Sequence, residues 1–198
     1  MQSTRRDNRH RLAEIALRQS GYFTAAQARE LGYAYPAQKY NADHGNWLRV
    51  DRGIYRLRVW PSGPHDDFVR WRLWSKGRAI VSHDSALSVH GLGTVDPTRV
   101  HLTVPPGFRQ VAAGAVLHKA MLDDADVERR EGFVITTPIR SILDAAAGDL
   151  DVDQLRLVVQ DALDRGFTTR RRLIERADAT GARAALRIER AIRDLDSP

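Results

Sequence analysis

Gly21-Tyr22-Phe23-Thr24-Ala25-Ala26-Gln27-Ala28 and, further on, Trp47-Leu48-Arg49-Val50-Asp51-Arg52-Gly53-Ile54-Tyr55 are the stretches from which the fold can be read. Thr24 with Gln27 three residues later has the T-x-x-Q form of a capping box, so a helix is expected from Ala25 to Leu31, with Gly32 ending it. The runs Trp47–Val50 and Ile54–Leu57 are β-prone and flank Asp51-Arg52-Gly53, which predicts a hairpin. Period-two alternation then places Leu48, Val50, Ile54 and Leu57 toward the helices and Arg49, Arg52 and Arg56 outward near the turn.

Upstream, Asn8 to Gln19 carries Leu12, Ile15, Ala16 and Gln19 at helical spacing before Ser20-Gly21 turns the chain. Between the capping box and the hairpin, Pro36 is a natural first helical residue, and a third helix is expected through His44 before Gly45. Three short helices followed by an arginine-bearing hairpin is the order of a winged helix-turn-helix, assigned to residues 1–60.

Charge follows the same division. Residues 1–60 hold eleven Lys and Arg against five acids, whereas residues 61–198 hold twenty of each, so the whole net charge of +6 belongs to the first part. A basic module joined to a neutral one is the footprint of polyanion binding, because phosphate contacts dominate nucleic-acid affinity; a solvated basic surface is the alternative. In the third helix Gln38, Lys39 and Asn41 have the amide and cationic side chains that read base edges, and Arg49, Arg52 and Arg56 of the wing would meet phosphates or a narrow minor groove. Thr24, at the start of the second helix, completes the DNA-facing set. Plain helix solvation remains open for Gln38 and Asn41. Ala37, Tyr40 and His44 fall on the opposite stripe and are expected at the core or its edge.

The two stretches also resemble the N-terminal domain of AbiEi-family antitoxins, the antitoxin half of type IV toxin–antitoxin pairs, most specifically in Arg49-Val50-Asp51-Arg52-Gly53-Ile54-Tyr55. That resemblance implies a repressor that binds double-stranded DNA at its own promoter. It also implies an antitoxin that neutralises a nucleotidyltransferase-like toxin through the rest of the chain.

Trp60-Pro61-Ser62-Gly63-Pro64 reads as a hinge, with a second domain over residues 65–198. Asp66–Lys76 suggests an amphipathic helix in which Arg70, Trp71, Arg72 and Trp74 either stack on single-stranded bases or, as is commoner for aromatics, bury the tryptophans against the second domain. Strands are expected at 79–81, 100–104, 115–118 and 132–136, and helices at 82–90, 138–147, 152–163, 168–177 and 182–195. The predicted fold class is therefore α+β: a winged helix-turn-helix followed by a mixed α/β domain with a helical C-terminal part.

Several chemistries find no support. The absence of cysteine excludes a disulfide framework, a thiolate zinc site and a catalytic thiol. Glycines form no phosphate cradle, and a restriction-like nuclease needs an acid two residues before a lysine, where Lys39, Lys76 and Lys119 have Ala37, Trp74 and Leu117. His83 and His90 share a helix, but His101 and His118 lie on strands with no ligand spacing, and Asp144, Asp161 and Asp164 would hold magnesium only if they converged. No catalytic residue, metal or cofactor is assigned. No apolar run reaches membrane-span length, and the polar, basic start Met1–Arg11 reads as no export signal, so a cytoplasmic protein, monomer or homodimer, is expected. Arg170, Arg171, Arg172, Arg183 and Arg187 make the C-terminal helices locally basic, for an acidic partner face or simply for solvation. An atypical phosphotransferase that modifies its toxin, and a regulator without a toxin whose second domain takes a small ligand, remain as alternatives.

Overall fold

The computed structural model describes residues 4–196, so the first three residues of the polar N-terminal stretch lie outside the described residues. Helix α1 (Arg5–Leu17) opens on a capping box in which Thr4 and Asp7 exchange backbone N–H bonds. Strand β1 (Tyr22–Thr24), α2 (Ala25–Glu30) and α3 (Tyr35–Asp43) follow, then the hairpin of β2 (Trp47–Asp51) and β3 (Ile54–Leu57). The three strands form an antiparallel sheet in the order β1-β3-β2. Helices ahead of a hairpin whose inner strand pairs with β1 give a winged-helix-like module.

Its core is aromatic. Phe23 meets Trp47 edge-on at 4.8 Å and stacks with Tyr55 at 5.9 Å, while Tyr33 closes on Trp47 at 5.1 Å. Leu12, Ala16, Ala28 and Leu31 from the helices complete the cluster. The hairpin departs from its sequence-based orientation: Trp47 takes the inner position, so alternation turns Leu48 outward, and a register shift between Arg49 and Asp51 leaves Val50 exposed as well. Ile54 faces inward as expected. At the other end of β1, Gly21 has a positive φ of 81°, and a Cβ there would lie 2.3 Å from Trp60 Cγ, so only glycine fits.

The compact units divide at Arg78, beyond the Pro/Gly stretch at 60–64: one unit is the chain to Arg78 together with Arg130–Phe133, and the other is Ala79–Arg129 with the chain from Val134 on. Helix α4 (Asp66–Trp74) belongs to the first unit, where it packs on β1 and β3. The reason is chemical, since Asp66 accepts a 2.5 Å hydrogen bond from Arg56 of β3 with both side chains nearly buried. Trp71 is buried within this unit, edge-on to Trp74 at 5.1 Å, and Phe133 packs on Phe68.

The second unit contains β4 (Ile80–Val81), α5 (His83–His90), β5 (Val100–Val104), β6 (Ala115–Lys119), β7 (Val127–Arg130) and β8 (Phe133–Thr136), except that the division assigns Arg130 of β7 and Phe133 of β8 to the other unit. Sheet order is β6-β5-β4-β8-β7, with β4 antiparallel to β5 but parallel to β8, and β5 parallel to β6. Strand β7 is absent from the sequence-based reading. Four helices follow: α6 (Pro138–Ala147), α7 (Val152–Asp164), α8 (Arg170–Thr180) and α9 (Ala182–Leu195). Leu87, Ile142, Leu143, Leu155, Val158 and Ile188 lie in their common core.

Arg187 of α9, expected on a partner-binding surface, is turned inward. It donates to the carbonyls of Ala146 and Gly148 at 3.2 and 2.8 Å and to that of Leu150, closing the end of α6. These oxygens have no partner within the helix, and a cation is favourable at that end. Arg187→Ala should therefore lower stability by about 2 kcal/mol in urea unfolding, whereas exposed Arg190→Ala should stay within about 0.5 kcal/mol. Equal midpoints for the two variants would remove the capping role.

Candidate functional site

The first turn of α3 begins at Tyr35-Pro36, with Ala34 as an N-cap that offers no side-chain bond. Two stripes of the helix face in opposite directions. Inward lies Gln38, 5 % exposed, donating its amide to Ala25 O at 3.0 Å and Tyr33 O at 2.8 Å. Those bonds tie α3 to the start of α2 and to the turn before it, so Gln38, expected among the base-reading residues, is turned into the module and fixes the angle of the helix. Asn41 bonds back to Ala37 O at 2.8 Å and receives Asn46 Nδ2 at 3.1 Å.

Outward lie Tyr35, Pro36, Lys39, Tyr40, Asp43 and His44. Tyr40 and His44 therefore reverse their expected place: both are exposed, and their rings stack at 3.8 Å. A buried amide with two carbonyl partners claimed the inner stripe that hydropathy alone assigns to the tyrosine. Lys39 keeps its expected exposure but is paired with Asp43 at 2.8 Å, which raises its pKa first through that hydrogen bond and then through the aspartate charge.

In the wing, Arg49 and Arg52 are exposed at the tip, and Ala25 N donates to Gly53 O at 2.8 Å, holding the tip against the start of α2. Arg56, expected outward on the wing, is engaged within the unit. Besides Asp66 it donates to Ser20 O and Pro61 O, and its guanidinium lies over the Tyr22 ring at 5.0 Å, so its donors are spent inside the unit. Thr24 accepts from Gln27 N at 3.1 Å as the cap of α2, half-buried. Of the residues expected to face DNA, Arg49, Arg52 and Lys39 are exposed, and Tyr35 and Tyr40 are exposed on α3 as well.

Among the residues expected to face a partner protein, Arg170 pairs with Asp196 at 2.7 Å, Arg171 with Glu175 at 3.8 Å and Arg183 with Asp149 at 2.6 Å, all at the surface. Arg172 is also exposed. Asp144 and Asp161 are separately engaged, by Arg140 and by Gly93 N. Among the described residues no three such side chains are placed to hold a metal.

One cluster in the second unit escaped the sequence reading. His83 at the start of α5, His101 of β5 and His118 of β6 form one group: the His83 and His118 rings stack at 3.4 Å, and His118 Nε2 lies 3.3 Å from His101 Nδ1. His83 has a left-handed φ of 50°. Its Nδ1 meets Ser82 Oγ at 3.0 Å and stands 4.0 Å from Asp144 Oδ2, an oxygen without a hydrogen-bond partner among the described residues. Arg140 bridges Asp144 and Asp126, and Arg176 holds the other oxygen of Asp126 at 2.6 Å. Burial, then the neighbouring His118, His101 and Arg140, pushes His83 down to about 3, and burial followed by His101 pushes His118 down to about 4. His101 is lowered by burial and by Arg99, against Asp84. Burial raises Asp144 to about 6, with Asp126 adding to it and Arg140 opposing.

Residues 10–58 match the family model described as "Transcriptional regulator, AbiEi antitoxin". The chain is similar in fold to the RV2827C protein from Mycobacterium tuberculosis, with a TM-score of 0.66 at 15 % identity over 96 % of this chain and 78 % of that one. No curated protein matches it.

Two outcomes follow from these contacts. Gln38→Ala should cost about 2 kcal/mol, because two buried carbonyls lose their donor; an unchanged urea midpoint would mean that the amide does not hold α3. Acid should destabilise the second unit. The unfolded chain binds more protons at the three imidazoles below their ordinary 6.5, so stability falls as pH drops from there toward about 4 and 3. Asp144 acts oppositely, gaining its proton near 6 instead of 3.8 and returning part of the loss. His83→Asn, whose side chain tolerates the left-handed backbone, should flatten the decline between pH 6.5 and 4. A decline as steep as in the unmodified protein would show that the cluster does not control it.

Proposed function

We propose, from the match of residues 10–58 to a family of antitoxin transcriptional regulators, that the chain represses its own operon by binding double-stranded promoter DNA through the N-terminal unit. The observation that carries this reading is the pairing of an exposed recognition face on α3 with two free-standing wing arginines, Arg49 and Arg52, in the part of the sequence that holds all the net positive charge. The outward face of α3 enters the major groove, and the wing reaches phosphates beside it. A monomer occupies one half-site, and a homodimer spans two.

The rest of the chain is assigned to neutralising a nucleotidyltransferase-type toxin in the cytoplasm. Support for a contact surface there comes from the exposed Arg170, Arg171, Arg172 and Arg183, and from a groove floored by Val152, Leu155 and Leu186 between α7 and α9.

A gel-shift titration with the DNA upstream of the coding sequence tests the first half. Affinity should fall steeply between about 50 and 200 mM salt, and Arg49→Ala combined with Arg52→Ala should weaken binding and reduce the log–log salt slope by about 2. Binding indifferent to salt, or a double variant that binds like the unmodified protein, would overturn the DNA reading.

A further inference from the structure

The side chains of α3 best suited to hydrogen-bond a base are already committed. Gln38 is buried on Ala25 O and Tyr33 O, and Asn41 is bonded to Ala37 O and Asn46, which leaves Lys39, exposed beside Asp43, as a cation for phosphate. What the helix presents instead is aromatic: Tyr35 is 73 % exposed in its first turn and Tyr40 57 % exposed one turn on. Tyr40 is backed by the His44 ring at 3.8 Å, whereas no ring contact covers Tyr35 among the described residues. These two rings are the large side chains that the outward face of α3 offers to a partner. Charge narrows the occupant, since eleven basic residues against five acids in residues 1–60, with Arg49 and Arg52 exposed on the wing, suit a polyanion.

On the edge of a base pair in the major groove, the apolar feature open to a side chain is the C5-methyl group of thymine. The first turn of a recognition helix is also the part that reaches base edges, while later turns run out along the backbone. We infer that Tyr35 is a specificity-determining residue that reads thymine methyl groups, so that this module recognises its operator by apolar contact where comparable helices use amides. Tyr40, a turn farther along and braced by His44, directs its hydroxyl to the phosphate backbone. The inference rests on the DNA-binding reading above and assigns its sequence preference to one ring.

The test uses the full chain and two labelled duplexes of its own upstream DNA, one with thymine and one with 2′-deoxyuridine at every thymine position. These differ only in the C5-methyl groups. Burying one methyl is worth about fourfold in affinity, so the uracil duplex should bind about 4-fold to 15-fold more weakly for one or two methyls in contact. Tyr35→Ala should bind the thymine duplex more weakly and lose the discrimination. Arg52→Ala should weaken both duplexes in parallel and keep it. Because Tyr35 is largely exposed, its variant should unfold at the same urea midpoint as the unmodified protein. Equal binding of the two duplexes, or discrimination that survives Tyr35→Ala, overturns the inference while leaving DNA binding intact. Failure to bind either duplex overturns both.

Discussion

The edge-on contact of Trp47 with Phe23, ring centroids 4.8 Å apart, governs the N-terminal unit. It decides which face of the hairpin turns inward. With Trp47 inside, Leu48 must point out, and Arg49 and Arg52 stand at the open tip of the wing. The same indole touches Tyr33 and Tyr55, so the turn before α3, the central strand β3 and strand β1 converge on one side chain. Gln38 then sets α3 against this core by hydrogen bonds instead of apolar contact, because the carbonyls of Ala25 and Tyr33 point where a hydrophobic side chain would leave them unsatisfied. A polar residue inside thus sends a tyrosine outside.

That exchange explains both what could be read in advance and what could not. Capping signals and punctuation located the helices well: Thr24 with Gln27 and Pro36 open helices where expected, and the bounds of α6 and α9 coincide with the sequence-based ones. These signals are local, and helix ends depend on local backbone groups. The face of α3 is a different matter, since hydropathy placed Tyr40 and His44 inward and could not register two carbonyls waiting for an amide. Strand β7 was missed for a related reason. Val127-Glu128-Arg129-Arg130 is mostly charged because it lies at the edge of the sheet, where charge discourages pairing with further strands.

The histidine cluster lay beyond any local pattern. His83, His101 and His118 are separated by 18 and 17 residues; His101 and His118 meet because β5 and β6 run parallel, with Thr103 beside His118 and His101 two residues back on the same face, and the start of α5 brings His83 onto His118. Such a register depends on the whole sheet. The arginine candidates divide similarly, since Arg56 and Arg187 look no different in sequence from Arg52 and Arg183, yet each found several backbone oxygens to satisfy and turned away from solvent.

The two units therefore use their arginines in opposite ways. In the second unit Arg140 and Arg176 are bound to Asp126 and Asp144, and Arg187 closes a helix end, so these cations are spent on internal structure. In the first unit Arg56 alone of the three hairpin arginines is consumed in this way, and its commitment to Asp66 anchors α4 and the segment after the wing. Arg49 of β2 and Arg52 of the turn that follows sit beyond the reach of that anchor, beside a register shift that leaves Val50 exposed too. Surface positive charge in excess of internal demand is what polyanion attraction requires, because each cation already paired within the fold has less to offer a phosphate. An electrostatic grip from the wing, with apolar readout from α3, is the division of labour that this distribution of charge and burial permits.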